Sequence, residues 1–129
     1  QLDVTVNTEK LPENLFVDLD RKAMPYALRN LLRNAFKYAG KHIVVSAQLE
    51  GETMLIHVDD DGIGIPQEER EHIFSAFTRL DRSRDRSTGG YGLGLAIARR
   101  VLELHGGTAT ADASPLGGAR FTLSWKARQ

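Results

Sequence analysis

The segment ALRNLLRNAFKYAGK, residues 27–41, constrains this chain more than any other. Its leucines and alanines recur at helical spacing, which predicts an amphipathic helix. At ~100° per residue, Asn30, Asn34, Lys37 and Tyr38 share one stripe. Leu28, Leu31, Leu32, Ala35 and Ala39 fall on roughly the opposite stripe and are expected to face the core. A helix face meant only for solvent usually carries Glu, Lys or Arg. Two neutral carboxamides, one cation and one aromatic ring make instead a surface suited to a metal, an anion and a flat ring. Those are the parts of a nucleotide with its magnesium. Amide oxygens are hard donors that can complete an octahedral magnesium shell shared with phosphates and water. Lys37 offers a point charge to phosphate, and Tyr38 can pack on a base. An ordinary amphipathic helix with a polar outer face is the plain alternative.

At 129 residues the chain is expected to form one domain, residues 1–129, and at 41% hydrophobic residues it can bury a core. Lys plus Arg equals Asp plus Glu at 17 each, so net charge calls for neither nucleic acid nor an anionic membrane. The charge is uneven, however: RLDRSRDR, residues 79–86, holds four arginines and two aspartates. With no cysteine, disulfides and cysteine-based metal or redox chemistry are excluded. No apolar run approaches the ~18–20 residues that span a bilayer, and no signal peptide is visible. The chain begins at Gln1 without a methionine and is read as a fragment of something larger.

Periodicity and turn residues divide the chain further. Leu2–Val6 and Leu15–Leu19 read as short strands around a polar loop with Pro12. Asp20 is expected to cap the asparagine helix, Pro25 fits its early turns, and Gly40 supplies the stop. His42–Leu49 and Thr53–Val58 form a hairpin around Glu50-Gly51-Glu52. A short helix is expected over Gln67–Ile73, a long surface loop over Thr78–Tyr91, and a helix over Gly92–His105 ended by Gly106-Gly107. Thr108–Ala113 and Ala119–Lys126 are the last strands, joined by SPLGG. The sum is an α/β sandwich: a mixed, mostly antiparallel sheet with helices on one face.

Two further segments carry chemistry. In HVDDDGIGIP, residues 57–66, a strand runs into three aspartates and then Gly-x-Gly. Glycines let the backbone turn sharply and approach a ligand. A carboxylate at the end of a buried strand can accept a hydrogen bond from an exocyclic amine, which selects adenine over guanine. Asp60 is the choice for that role. A plain turn and a calcium loop are the alternatives; the calcium loop lacks its spaced acidic ligands and terminal glutamate. In GGYGLGLAIARR, residues 89–100, glycines precede a helix start, where free N–H groups attract phosphate. A flexible glycine linker is the alternative there. The chain has no GxxxxGK[ST]. Neither Gly62-Ile-Gly64 nor Gly92-Leu-Gly94 has the third glycine of GxGxxG, those positions being Gln67 and Ile97.

Taken in order, NLLRNAFKY, DDGIGI, HIFSAFTRL and GYGLGLAI resemble the N, G1, F and G2 boxes of the catalytic and ATP-binding domain of sensor histidine kinases. The likeness runs from Leu2 to Trp125. It implies the two-layer Bergerat-type (GHKL) sandwich, with ATP and Mg2+ as cofactors. It implies that Asn34 ligates magnesium, that Asn30 lies near the phosphates and supports transfer, that Lys37 contacts phosphate, and that Tyr38 stacks near adenine. Asp60 would bind the adenine amine directly and through water, Gly62 and Gly64 would shape that loop, Ile65 would line the base pocket, and Thr122 would help the water network. Residues 78–91 would be an ATP lid anchored by Phe74 and Phe77. Gly90, Gly92, Leu93, Gly94 and Leu95 would close the phosphate side. One or more of Arg82, Arg84 and Arg86 would reach the γ-phosphate, with Ser87 and Thr88 as weaker candidates. Tyr91 departs from the small or hydroxyl residue usual between these glycines, and Asp61 replaces the commoner Asn.

The same fold also serves ATPases whose motif has a glutamate, four residues before the metal-binding asparagine, as general base for water. Here that position is Asn30, a neutral amide, so slow hydrolysis and transfer to a protein group are expected. A Bergerat-fold ATPase, an anti-sigma-type serine kinase and a degenerate domain used for protein contact are the competing readings. The four histidines, His42, His57, His72 and His105, lack HELRTP-like surroundings, so the phosphoacceptor is expected on another domain. The resemblance implies as partners the histidine-bearing dimerisation domain of the same kinase and a response regulator, and no nucleic acid. The parent protein would be an inner-membrane homodimer with this domain in the cytoplasm; the fragment alone is expected to be a monomer.

Overall fold

The computed structural model describes residues 2–75 and 94–128. Five strands form one sheet: β1 Asp3–Asn7, β2 His42–Glu50, β3 Thr53–Asp60, β4 Thr108–Ala113 and β5 Ala119–Lys126. Two helices join it, α1 Ala23–Tyr38 and α2 Gly94–Leu104, with short 3-10 turns at Gln67–Glu69 and His72–Phe74. The spatial order is β1-β2-β3-β5-β4. Only β1 and β2 run parallel; every other neighbouring pair is antiparallel. The expected mixed, mostly antiparallel α/β sandwich is therefore the fold.

Alternation along the strands separates the two sheet faces. On β5, Ala119, Phe121, Leu123 and Trp125 are buried while the residues between them are not. These side chains meet Val58 and Ile43 from the sheet, Met24, Ala27, Leu31 and Ala35 from α1, and Leu95, Ala98, Val101 and Leu102 from α2 in one apolar core. The two helices also pack on each other. The core row of α1 is thus Met24, Ala27, Leu31 and Ala35, at helical spacing. Leu28, Leu32 and Ala39, expected in the core, are only partly buried at its margin. Asn30 and Asn34 do not lie on the outer face opposite the core. They stand on the row beside it and are buried.

Local details depart from expectation where backbone groups find other partners. Leu15–Leu19 forms no strand. Leu15 and Val17 still pack on the core, which explains the alternation. This extended segment is fastened across the end of β5 instead, through Asp18 N–H to the Ala127 carbonyl and Trp125 Nε1–H to the Asp18 carbonyl. The helix expected over 67–73 is two separate 3-10 turns. Asp20 does open α1: its Oδ1 accepts from Lys22 N at 2.9 Å and Ala23 N at 2.8 Å. The stop is not a left-handed Gly40, whose φ is not positive. Ala39 turns extended, and the next three N–H groups, from Gly40, Lys41 and His42, all donate to the Asp61 carboxylate.

Candidate functional site

The site is built where β3 ends beside the C-terminal half of α1. Asp60 is the last residue of β3 and is only 2% exposed. Its Oδ1 accepts from Gly62 N at 2.9 Å and Ala119 N at 3.1 Å, and its carbonyl accepts from Gly118 N at 3.1 Å. Two glycines permit this crowding. A Cβ on Gly118 would overlap the Asp60 carboxylate and crowd Gly62 N, and a Cβ on Gly62 would overlap the Tyr38 carbonyl. The Gly-x-Gly loop is therefore wedged between the end of α1 and the β4–β5 turn. Gly64 lies in this loop, and buried Ile65 follows it, its carbonyl accepting from Arg70 Nε at 3.1 Å.

The turn that delivers Gly118 has its own fastening on the far side of the sheet. Asp59, one residue before Asp60, points the other way. Its Oδ1 accepts from Arg120 Nε at 2.8 Å and Ser114 Oγ at 2.9 Å, and its Oδ2 from Arg120 Nη2 at 3.0 Å. The Asp59 carboxylate raises the Arg120 pKa above its ordinary value. Ser114 Oγ also accepts from Leu116 N, so the turn is tied at both ends.

Along α1, Tyr38 is half-buried at the loop end and Lys37 is exposed. Asn30 faces the start of α2, and Asn34, one turn further on, is buried as well. Asn30 is 7% exposed, and its Nδ2 has no hydrogen-bond partner among the described residues. The first residue of α2, Gly94, lies against it: a Cβ there would be 3.6 Å from Asn30 Oδ1. Leu95 is buried beneath. Burying an amide donor without a partner costs roughly 1–3 kcal/mol, a cost that a ligand acceptor would remove. Among the described residues no group of three His, Cys, Asp or Glu side chains is arranged to hold a metal ion.

Asp60, Gly62, Gly64, Ile65 and Tyr38 are thus brought to one end, Asn30, Gly94 and Leu95 to the other, and Asn34 lies on α1 between Asn30 and Tyr38. Thr122 belongs to neither. It pairs with His57 in register on the face away from Asp60, and its Oγ1 lies 2.8 Å from His57 Nδ1. Strand alternation forces this, because Thr122 sits one residue out of phase with core-facing Phe121. The backbone N–H of Ala119 occupies the Asp60 side instead. Sequence reasoning took SPLGG as a mere turn and missed Gly118 and Ala119; the double glycine directly before a strand was the available signal. Asp61, read as a replaced ligand-loop residue, is the clamp on the start of β2. Hydrogen bonds from His42 and Lys41 hold its carboxyl below the usual range. His57 is held below its ordinary value, first by burial and then by Arg120. Arg82, Arg84, Arg86, Ser87, Thr88, Gly90, Tyr91, Gly92, Leu93 and Phe77 lie outside the described residues.

Residues 19–129 match the profile of the histidine kinase-, DNA gyrase B- and HSP90-like ATPases. Sensor protein RstB of Escherichia coli (strain K12) is 49% identical over 123 residues, covering 95% of this chain and 28% of RstB. The chain therefore spans little more than a quarter of that relative. The catalytic domain of histidine kinase ThkA, solved nucleotide-free, superposes with a TM-score of 0.83 at 27% identity, covering 99% of this chain and 82% of that one. Full-length ShkA, solved with AMPPNP, gives a TM-score of 0.78 at 26% identity over 96% of this chain and 25% of its own.

Proposed function

The chain belongs to the histidine kinase-, DNA gyrase B- and HSP90-like ATPase family, and from that premise we propose that it is the ATP-binding catalytic domain of a sensor histidine kinase. In this reading residues 1–129 form one domain that binds Mg-ATP. It donates the γ-phosphoryl group to a histidine on the dimerisation domain of the same kinase. That histidine then serves a response regulator in a two-component system. The observation that carries the reading is the buried Asn30 amide, whose Oδ1 lies against the start of α2 while its Nδ2 donor has no partner among the described residues. A phosphate oxygen is an acceptor of the right kind for it. That full-length ShkA, a structural neighbour of this chain, was solved in complex with AMPPNP supports a nucleotide ligand.

The proposed roles follow the two ends of the site. Asp60, with one oxygen fixed by two backbone N–H groups, keeps its carboxylate oriented to accept from the adenine amine. Tyr38 and Ile65 flank the base. Eight residues separate Tyr38 from Asn30, a rise of ~12 Å along the helix, so one helix serves both base and phosphates. Asn34 would hold Mg2+ through its amide oxygen, the rest of the shell coming from phosphate and water; the ion's chemistry is to neutralise charge on the transferring group. Lys37, with Arg82 and Arg84, adds charge on the phosphates. Neutral Asn30 cannot take a proton from water, which favours transfer to a histidine over hydrolysis. Because none of the four histidines has HELRTP-like surroundings, and His57 and His105 are engaged in hydrogen bonds within the fold, the acceptor is assigned to the partner domain. Among the described residues no helix is long and apolar enough to cross a membrane. We assign this domain to the cytoplasmic side of an inner-membrane homodimer, the isolated piece being a monomer without affinity for nucleic acid.

Calorimetry with Mg-ATP tests the reading. The wild-type chain is expected to bind, Asn34→Asp and Asp60→Asn to bind at least about tenfold more weakly, the scale of losing one charge-assisted contact. Undiminished affinity in both variants would sink it. Steady phosphate release by the chain alone would favour the ATPase alternative.

A further inference from the structure

We propose that Arg99 is a positioning residue for the phosphate end of the site, acting through the first turn of α2. The inference rests on the nucleotide reading above. Gly94, not Arg99, lies against Asn30; Arg99 stands five residues further on, ~7.5 Å along the helix. Its side chain is held by three neighbours from two parts of the fold, the 3-10 turn with the residue that opens it and β4. Nη1 meets Glu71 Oε1 at 2.6 Å. The guanidinium carbon sits 4.4 Å from the centre of the Phe74 ring. Nη2 donates to the Ala109 carbonyl at 3.3 Å. Phe74 is itself buried and meets Phe121 edge-on, ring centres 6.2 Å apart. One side chain therefore fastens α2 to the 3-10 turn at His72–Phe74, to β4 and, through Phe74, to β5.

The chemistry suits arginine. A planar guanidinium can stack on an aromatic face while its edge donates in the ring plane, which an ammonium does less well. The Glu71 side chain is 80% exposed and that of Arg99 25%, so their ion pair adds little by itself. The stacked, backbone-anchored geometry is what immobilises the helix. Without it the first turn of α2 can shift against α1. A displacement of about 1 Å is enough to degrade a positioned polar site severely. The base end, built from Asp60, Gly62 and the β4–β5 turn, does not depend on this contact.

That asymmetry supplies the test: the chain is titrated separately with Mg-ATP and with adenosine. Arg99→Ala is expected to weaken Mg-ATP about tenfold, as loss of a supporting contact behind a binding group does, while adenosine affinity stays unchanged. Arg99→Lys should recover only part of the loss, because an ammonium keeps the charge without the planar stack. Glu71→Gln should move Mg-ATP in the same direction by a smaller factor. Equal weakening of both ligands by Arg99→Ala, or of neither, overturns the proposal by making Arg99 merely structural. If Arg99→Ala does not fold, Arg99→Lys and Glu71→Gln decide, and an unchanged ATP-to-adenosine ratio in both overturns it. A wild-type chain that binds no Mg-ATP removes the nucleotide reading and this inference together, whereas normal wild-type binding with an unchanged ratio removes this inference alone.

Discussion

Asp60 is held by three backbone donors that come from two separate stretches of chain. Its own loop contributes Gly62 N–H, and the β4–β5 turn contributes Gly118 N–H and Ala119 N–H. Buried acceptors need such donors, and backbone donors can approach this closely only where no Cβ intervenes. Gly118→Ala puts a methyl group into the Asp60 carboxylate, its carbonyl and the Gly62 amide, and most of that obstacle is backbone. The expected cost is about 1–3 kcal/mol of stability, the range for overpacking a tight contact, with a drop in Mg-ATP affinity because Asp60 is pushed off its alignment. Urea denaturation and calorimetry on the same variant check both halves. Wild-type stability with wild-type affinity would show that the turn is not part of the site.

At the scale of elements, α1 and α2 meet the sheet through connections that the sequence only partly discloses. His105 follows α2 and bridges the two helices: its Nδ1 lies 2.8 Å from the Val101 carbonyl and its Nε2 accepts the Asp20 N–H at 2.9 Å. Both bonds require the neutral ring with its proton on Nδ1. His105→Ala leaves Asp20 N–H without this acceptor. It should cost about 1 kcal/mol and speed amide exchange at the start of α1; unchanged exchange there would deny the bridge. Of the elements themselves, β4 and β5 were legible to the residue because alternation ran between clear turn residues. The segment 15–19 misled because alternation reports which side chains are buried, not whether the backbone has a strand beside it. The asparagine row of α1 misled by angle: side chains about a quarter-turn from the core row can still be covered once a second helix packs alongside. Asp60 and the asparagines were legible as a candidate site, since carboxamides and a strand-end carboxylate are unusual where plain burial would take apolar residues. Gly118 and Ala119 were not, because their part is played by main-chain N–H groups. The resemblance alone tied Thr122 to the water network beside Asp60, and only the β3–β5 register shows it on the opposite sheet face.

For the molecule as a whole, sheet and helical layer differ in what holds them. The strands are joined by continuous backbone ladders over an alternating core. Both ends of α1 are joined to the rest by single carboxylates. Asp20 holds the entry to α1 and Asp61 its exit into β2, while Glu71 adds a weak ion pair to the Arg99 contact midway along α2. All three have pKa values lowered from the ordinary 3.8 of Asp and 4.5 of Glu, because hydrogen-bond donors favour the charged form: backbone N–H of Ala23 and Lys22 for Asp20, of His42 and Lys41 for Asp61, and the Arg99 side chain for Glu71. The sign follows by linkage. The unfolded chain takes up these protons at a higher pH than the fold does, so their contribution is complete above those ordinary values and is lost as pH falls through the lowered ones. Acid is therefore expected to release the ends of α1 before it breaks the sheet. Amide hydrogen exchange, compared at about pH 6 and about pH 3 after correction for intrinsic rates, should show Lys22, Ala23, Gly40 and Lys41 losing protection while amides paired between β2, β3 and β5 keep theirs. Simultaneous loss across both sets would mean that the two layers unfold as one unit and that these carboxylates do not hold them separately.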